Sequence, residues 1–119
     1  MSYDFVMDSY AWIEYFLGGS ERDSLARFYI EKENSTTPTI AIAEISGKLL
    51  NENLAGGETK QGRDNKLNFI KASTLIVELT AEIARVAGEI DVERRKKREG
   101  AGIADSIILA TARRKMQKL

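Results

Sequence analysis

Apolar residues along this chain come in two rhythms: short clusters, and longer stretches where they recur every third or fourth position. Tyr3–Met7 is a short run rich in aromatic and apolar side chains and predicts a buried strand. Asp8 and Ser9 end it, and either side chain can cap a helix. Tyr10–Leu17 then spaces Ala11, Trp12, Tyr15 and Phe16 along one helical face, until Gly18-Gly19 stops the helix. Ser20 can cap a second helix, Glu21–Glu33, with Leu25, Phe28 and Tyr29 inward. Asn34–Thr37 reads as a turn and Pro38–Ile40 as a short extended piece, since proline disfavours helix in the residue before it. The helical rhythm returns over Ile42–Asn53, with Ile42, Ile45 and Leu49 on one side, and gives way to a loop at Ala55-Gly56-Gly57.

Thr59 to about Lys71 predicts a polar helix anchored by Leu67 and Ile70, and Thr74–Val77 predicts a β-branched strand. Thr80 to about Arg95 reads as a long helix capped by Thr80, with Ile83, Val86, Ala87 and Ile90 on its buried side. Arg94–Gly102 is basic and then glycine-containing. Ile103–Leu119 follows as a last helix, with Ala104, Ile108, Ala112 and Met116 on its inner stripe. Strands that alternate with helices predict an α/β domain, a parallel sheet with helices packed on both faces. The 119 residues suffice for one domain, 1–119, and not for two. No internal repeat or low-complexity segment interrupts the chain.

Composition narrows the chemistry more than the fold. An apolar fraction of 43% and a charged fraction of 30% are those of a soluble globular protein. No apolar run approaches the ~20 residues of a membrane-spanning helix. The start, MSYDFVMDSYAW, lacks the basic and apolar regions of a signal peptide, so a cytoplasmic protein with no membrane association is expected. A formal net charge of zero gives no overall argument for a nucleic-acid partner. The chain has no Cys and no His, which excludes disulfides, thiolate zinc sites, cysteine nucleophiles and Ser–His–Asp triads. Chemistry must then come from carboxylates, hydroxyls, Lys, Arg or backbone. Oxygen donors without nitrogen or sulfur favour magnesium or manganese over zinc or copper.

Three acids stand out by context. Asp8 follows the first strand, where open parallel sheets bind ligands beyond the carboxyl ends of their strands. It can equally be a helix cap. Glu44 lies among apolar and small residues in PTIAIAEISG, near the start of a helix. An ionised carboxylate is costly to bury unless paired or metal-bound, whereas a solvent-facing Glu on an amphipathic helix needs no such explanation. Asp105 interrupts the similar stretch GIADSIILATA in the first turn of the last helix, where the helix dipole also favours an acid. Each acid alone has an ordinary structural reading. All three together, each near a helix start in a chain without other catalytic residue types, form one candidate metal site.

These blocks resemble a known family. VMDSYAWIEYF, TIAIAEISGKL and GIADSIILATARR look like the three acidic blocks of PIN domains, particularly the VapC-like toxins, in the same order and across essentially the whole chain. The last block, apolar–Asp–small–apolar–apolar–Ala–Thr–Ala, is the most specific. The resemblance implies a three-layer α/β/α sandwich with a central parallel sheet. It also implies endoribonuclease activity dependent on Mg2+ or Mn2+, with Asp8, Glu44 and Asp105 as catalytic metal ligands. Ser9 would support the first acid by hydrogen bonding, and Glu14 stands where family members often carry another acid, outside the ligand set. Such domains usually continue past the last helix into a strand near a fourth acid. Here the sequence ends at Leu119, so a sheet lacking the usual C-terminal strands is expected. The resemblance further implies an RNA substrate, a homodimer and a cognate antitoxin protein.

Phosphodiester hydrolysis builds negative charge on phosphate oxygens, which a divalent cation neutralises while making a water more acidic. Arg94, Arg95, Lys96, Lys97 and Arg98 form the one dense basic run. They suit the negative end of a helix dipole, and they also form a candidate RNA-phosphate contact shortly before Asp105. Trp12, Tyr15 and Phe16 have helical spacing that fits core or dimer packing better than base stacking. The competing reading is a PIN-like module of weakened activity that binds RNA or a protein without cutting.

Overall fold

The computed structural model describes residues 5–18, 27–28, 30–31, 35–97 and 102–116. In chain order its regular elements are β1 (Phe5–Val6), α1 (Ser9–Leu17), β2 (Ser35–Pro38), α2 (Thr39–Leu54), α3 (Lys60–Ser73), β3 (Leu75–Val77), α4 (Ala81–Lys96) and α5 (Ile103–Met116). Arg27, Phe28, Ile30 and Glu31 are also helical and fall within the predicted helix Glu21–Glu33, whose remaining residues lie outside the described ones. Of the three residues expected to point inward there, Leu25 and Tyr29 lie outside the described residues. Phe28 is 53% exposed, which corrects its placement in the core.

The three strands form one parallel sheet in the order β1-β2-β3. Phe5 and Val6 pair with Ser35 and Thr36, while Thr36, Thr37 and Pro38 pair with Leu75, Ile76 and Val77. Side chains alternate across a sheet, so Phe5, Thr37 and Ile76 face one way and Thr36 and Val77 the other. On the first face, Met7, just beyond β1, joins Ala11, Trp12, Ile45, Leu49 and Ile70 of α1, α2 and α3 in a buried cluster. On the second, Ile83, Ala87, Ile90, Ile107 and Ala110 pack α4 against α5, with Val77 beside them. Helices therefore cover both faces, as the sequence predicts, and the three-layer arrangement follows.

Several helix ends are closed by local hydrogen bonds. Asp8 Oδ1 accepts from the Ala11 amide at 2.7 Å, Thr59 Oγ1 from Gly62 at 2.9 Å, and Thr80 Oγ1 from Ile83 at 3.1 Å. Gly18, at φ 75°, closes α1 by donating to the Glu14 carbonyl at 2.8 Å. Gly56, at φ 87°, ends α2: Gly57 donates to the Glu52 carbonyl and Gly56 to that of Asn53, which satisfies the last carbonyls.

Two expectations about local structure are corrected. The segment read as a turn and then an extended piece is the central strand, shifted: β2 is Ser35–Pro38, and α2 begins at Thr39 rather than Ile42. All four β2 residues are buried although three carry hydroxyls. Covered on both faces, a central parallel strand shows no apolar–polar alternation. One hydroxyl finds partners inside: Trp12 Nε1 donates to Thr37 Oγ1 at 3.0 Å, Thr37 and Thr74 hydroxyls lie 2.7 Å apart, and Thr74 Oγ1 donates to the Ile70 carbonyl. The second correction is the phase of α5. Its buried residues are Ser106, Ile107, Ala110 and Thr111, whereas Ala104, Ile108 and Ala112 are only half-buried and nothing is described of the Met116 side chain. Thr111 donates back to the Ile107 carbonyl, and Ser106 to a carboxylate on α4, so both hydroxyls are satisfied inside.

Candidate functional site

The parallel pairing of β1 and β2 puts the carboxyl ends of both strands at one edge of the sheet. Asp8 leaves that edge two residues beyond β1 and caps α1; Glu44 is carried on α2, the helix that begins directly after β2. Helix α5, which holds Asp105 in its first turn, packs against both α2 and β1. The topology thus brings the three acid-bearing segments into contact with one another.

The side chains themselves remain open. Asp8 is half-buried, with one oxygen engaged by the Ala11 amide. Glu44 and Asp105 are exposed, and neither makes a hydrogen bond or ion pair among the described residues. Their apolar neighbourhoods in sequence are therefore not burial in space. In α2 the inward stripe is Ala41, Ile45 and Leu49, which turns Glu44 outward, and in α5 Ser106 and Ile107 turn inward beside an outward Asp105. Among the described residues, no three acidic side chains are grouped so as to hold a metal ion. The donor chemistry is nonetheless that of a hard divalent cation: carboxylate oxygens, two of the three side chains without a partner among the described residues, and no His or Cys in the chain to compete. Ser9 is half-buried at the first position of α1, beside Asp8.

The basic run divides. Arg95 pairs with Asp91 and Lys96 lies 3.7 Å from Glu93, while Arg98 lies outside the described residues. Arg94, Lys97 and Arg113 line an open groove of about 500 Å3 between α4 and α5, together with Glu89, Glu93 and Leu109. The run also ends α4, where cations complement the helix dipole. The aromatic residues belong to the core. Trp12 is fully buried, stacks on Phe16 at 5.5 Å, and meets Tyr15 and Phe69 edge-on.

One residue pair escapes the sequence reading. Asp91 is buried between α4 and α5, where its Oδ1 accepts from Ser106 Oγ at 3.2 Å. Its signal is present in the pattern: Ile83, Ala87 and Asp91 fall four residues apart on one helical stripe, with Arg95 four further on.

Comparison with known proteins decides the family. The PIN domain family model matches residues 5–119. The chain belongs to the PIN domain family. Among solved structures, this PIN domain is similar to the VapBC2 complex of Rickettsia felis bound to a DNA fragment from its promoter, with a TM-score of 0.69 at 15% identity, over 91% of this chain and 79% of that one. It is also similar to a toxin–antitoxin complex from Klebsiella pneumoniae, with a TM-score of 0.65 at 17% identity, over 92% of this chain and 78% of that one. No curated protein matches the chain in sequence. The PIN fold expected from the three acidic blocks is therefore the observed one. No helix among the described residues is long and apolar enough to cross a membrane.

Proposed function

We propose that this PIN domain is a VapC-like toxin, an endoribonuclease that depends on Mg2+ or Mn2+. The observation that carries the reading is the PIN match across residues 5–119, because PIN domains are generally nucleases. Asp8, Glu44 and Asp105 are the residues that would hold the cation, and no other residue type in the chain offers a comparable ligand set. A bound divalent cation would neutralise charge on the phosphate oxygens and make a water more acidic. The chain's own part would be to supply carboxylates from three adjoining segments, with Ser9 steadying the first. Arg94, Lys97 and Arg113 line the α4–α5 groove and are the proposed contacts for an RNA backbone, with Arg95 and Lys96 on the same helix end; Arg98, the last of the basic run, lies outside the described residues.

A cognate antitoxin and a second copy of the chain are the proposed protein partners. Of the similar structures described above, one is a toxin–antitoxin complex and the other is VapBC2 on promoter DNA. Leu17 and Leu54, 77% and 78% exposed, leave apolar surface at the ends of α1 and α2, and Ile13, Leu17, Lys48 and Leu49 line a small groove between those helices. Apolar patches of this kind mark protein contacts.

The alternative is a PIN module that binds RNA or protein without cutting. It is favoured by the absence, among the described residues, of a closed group of three acids. One assay separates the two. Purified protein is incubated with structured RNA in Mn2+, Mg2+ or EDTA, beside Glu44→Gln and Asp105→Asn. The nuclease reading expects cleavage that EDTA stops and that both variants lose while their circular dichroism is unchanged. Undiminished cleavage by the two variants, or RNA binding with no turnover in any metal, would sink it.

A further inference from the structure

Among the described residues, Asp91 is the one buried acid, and the nuclease reading does not use it. It sits on α4 facing α5 and is 5% exposed. Arg95, one turn later and largely in solvent, pairs with Oδ2, while Ser106 Oγ donates to Oδ1. Ser106 is itself fully buried and directly follows Asp105 in the first turn of α5.

Burying a carboxylate is expensive, and an apolar residue of similar volume is often the more stable choice between packed helices. Ile83, Ala87, Ile90, Ile107 and Ala110 already supply apolar contact between α4 and α5. What an apolar contact cannot supply is direction, since such contacts tolerate sliding and rotation. A hydroxyl held by a carboxylate fixes one azimuth of α5. Successive helical residues differ by about 100°, so fixing Ser106 inward fixes Asp105 outward. A rotation of only ~20° at a helix radius of 5–6 Å would move the Asp105 side chain by about 2 Å. Cation sites tolerate only about 0.2 Å in ligand distance.

We infer that Asp91 is a positioning residue: through Ser106 it sets the rotation of α5 and so fixes the direction in which Asp105 leaves the helix. The inference rests on the reading of Asp105 as a ligand. Arg95 holds the far oxygen of Asp91, so the carboxylate is gripped from both helices.

The test compares Asp91→Leu, Asp91→Asn and Ser106→Ala with Ile83→Val, which weakens the same helix pair without touching the hydrogen bond. Two quantities are read. One is amide hydrogen exchange of Ser106–Ala110 in metal-free protein, the first amides of α5 that are bonded back along the chain. The other is the Mn2+ midpoint, from thermal shift and from RNA cleavage. Asp91→Leu and Ser106→Ala should exchange roughly tenfold faster over that turn. Their Mn2+ midpoint should rise about 10–100-fold, the usual effect of losing a partner that orients a ligand. Asp91→Asn keeps an acceptor for Ser106 and should stay within about threefold. Ile83→Val should lower the melting temperature and leave the midpoint unmoved. If Asp91→Leu and Ser106→Ala keep wild-type exchange and midpoint while Asp105→Asn abolishes the Mn2+ response, the positioning role fails and the metal reading stands. If Ile83→Val raises the midpoint as much as Asp91→Leu, the effect is general stability and the inference is overturned. If Asp105→Asn leaves the Mn2+ response intact, the metal reading fails and takes the expected midpoint shift with it; exchange over the turn then reports only whether Asp91 holds α5.

Discussion

Asp8 is asked to do two things, and two substitutions separate them. Its Oδ1 caps α1 by accepting from Ala11 at 2.7 Å. Removing an N-cap side chain costs about 1 kcal/mol, so Asp8→Ala should lose roughly that much. Asparagine caps as well as aspartate and can keep the same hydrogen bond; Asp8→Asn loses only the charge at the helix N-terminus, about 0.3–1 kcal/mol. For a domain of this size, 1 kcal/mol moves the melting temperature by about 4 °C, so the expected losses are ~4 °C for Ala and ~2 °C for Asn. Cation binding gives the opposite ranking of importance. At a free Mn2+ concentration a hundred times its dissociation constant, the wild type should gain about 2.7 kcal/mol, or ~10 °C. Both variants should lose that gain, and with it RNA cleavage by roughly a hundredfold or more, since even partners that only orient a ligand cost 10–100-fold. The assay is a thermal melt with Mn2+ and with EDTA, run beside cleavage of one RNA. An Asp8→Asn protein that keeps both the Mn2+ shift and the cleavage would show that Asp8 is a cap and nothing more.

Three further outcomes are expected. Trp12→Phe and Thr37→Val, measured singly and together by urea unfolding followed with circular dichroism, should show a coupling of about 1 kcal/mol for the buried indole–hydroxyl bond; additive effects would contradict it. Lys66 donates a hydrogen bond to Glu58 and holds its carboxyl below the ordinary range. The stability this pair contributes is present above the ordinary glutamate pKa of ~4.3 and is lost as pH falls through the lower folded value. Lys66→Met should therefore differ from wild type at pH 7 and converge with it in acid. Lys97→Gln with Arg113→Gln should raise the KM for RNA with little change in kcat, and should flatten the dependence of log affinity on log salt by ~0.7 per lost phosphate contact.

The parts of the fold legible in sequence are those governed by local chemistry. Thr80 caps where the sequence predicts a cap, and the 3.6-residue rhythm of Ile45–Leu49 and Ile83–Ala87–Ile90 marks the correct inner faces. Residues 35–38 were misread because a central strand built from Ser, Thr, Thr and Pro carries no local sign of burial; its place is decided by Trp12 and Thr74, 25 and 37 positions from Thr37. The phase of α5 failed for the same reason. Ser106 and Thr111 look like surface residues until Asp91 and the Ile107 carbonyl satisfy them. At the candidate site, the family expected from the three acidic blocks is the one that matches the chain. The apolar setting of Glu44 and Asp105 suggested burial that helical geometry does not produce.

The indole of Trp12 gives this protein a built-in optical probe. It is the chain's single tryptophan, so all indole emission comes from one dry position where α1, β2 and α3 meet, four residues beyond Asp8. Its hydrogen bond to Thr37 and its ring contacts with Phe16 and Phe69 fix the surroundings that determine emission wavelength and quenching. Any event that shifts α1 against the sheet, whether cation binding at its cap or a partner closing over Leu17, is reported by unlabelled protein as a change in colour or intensity.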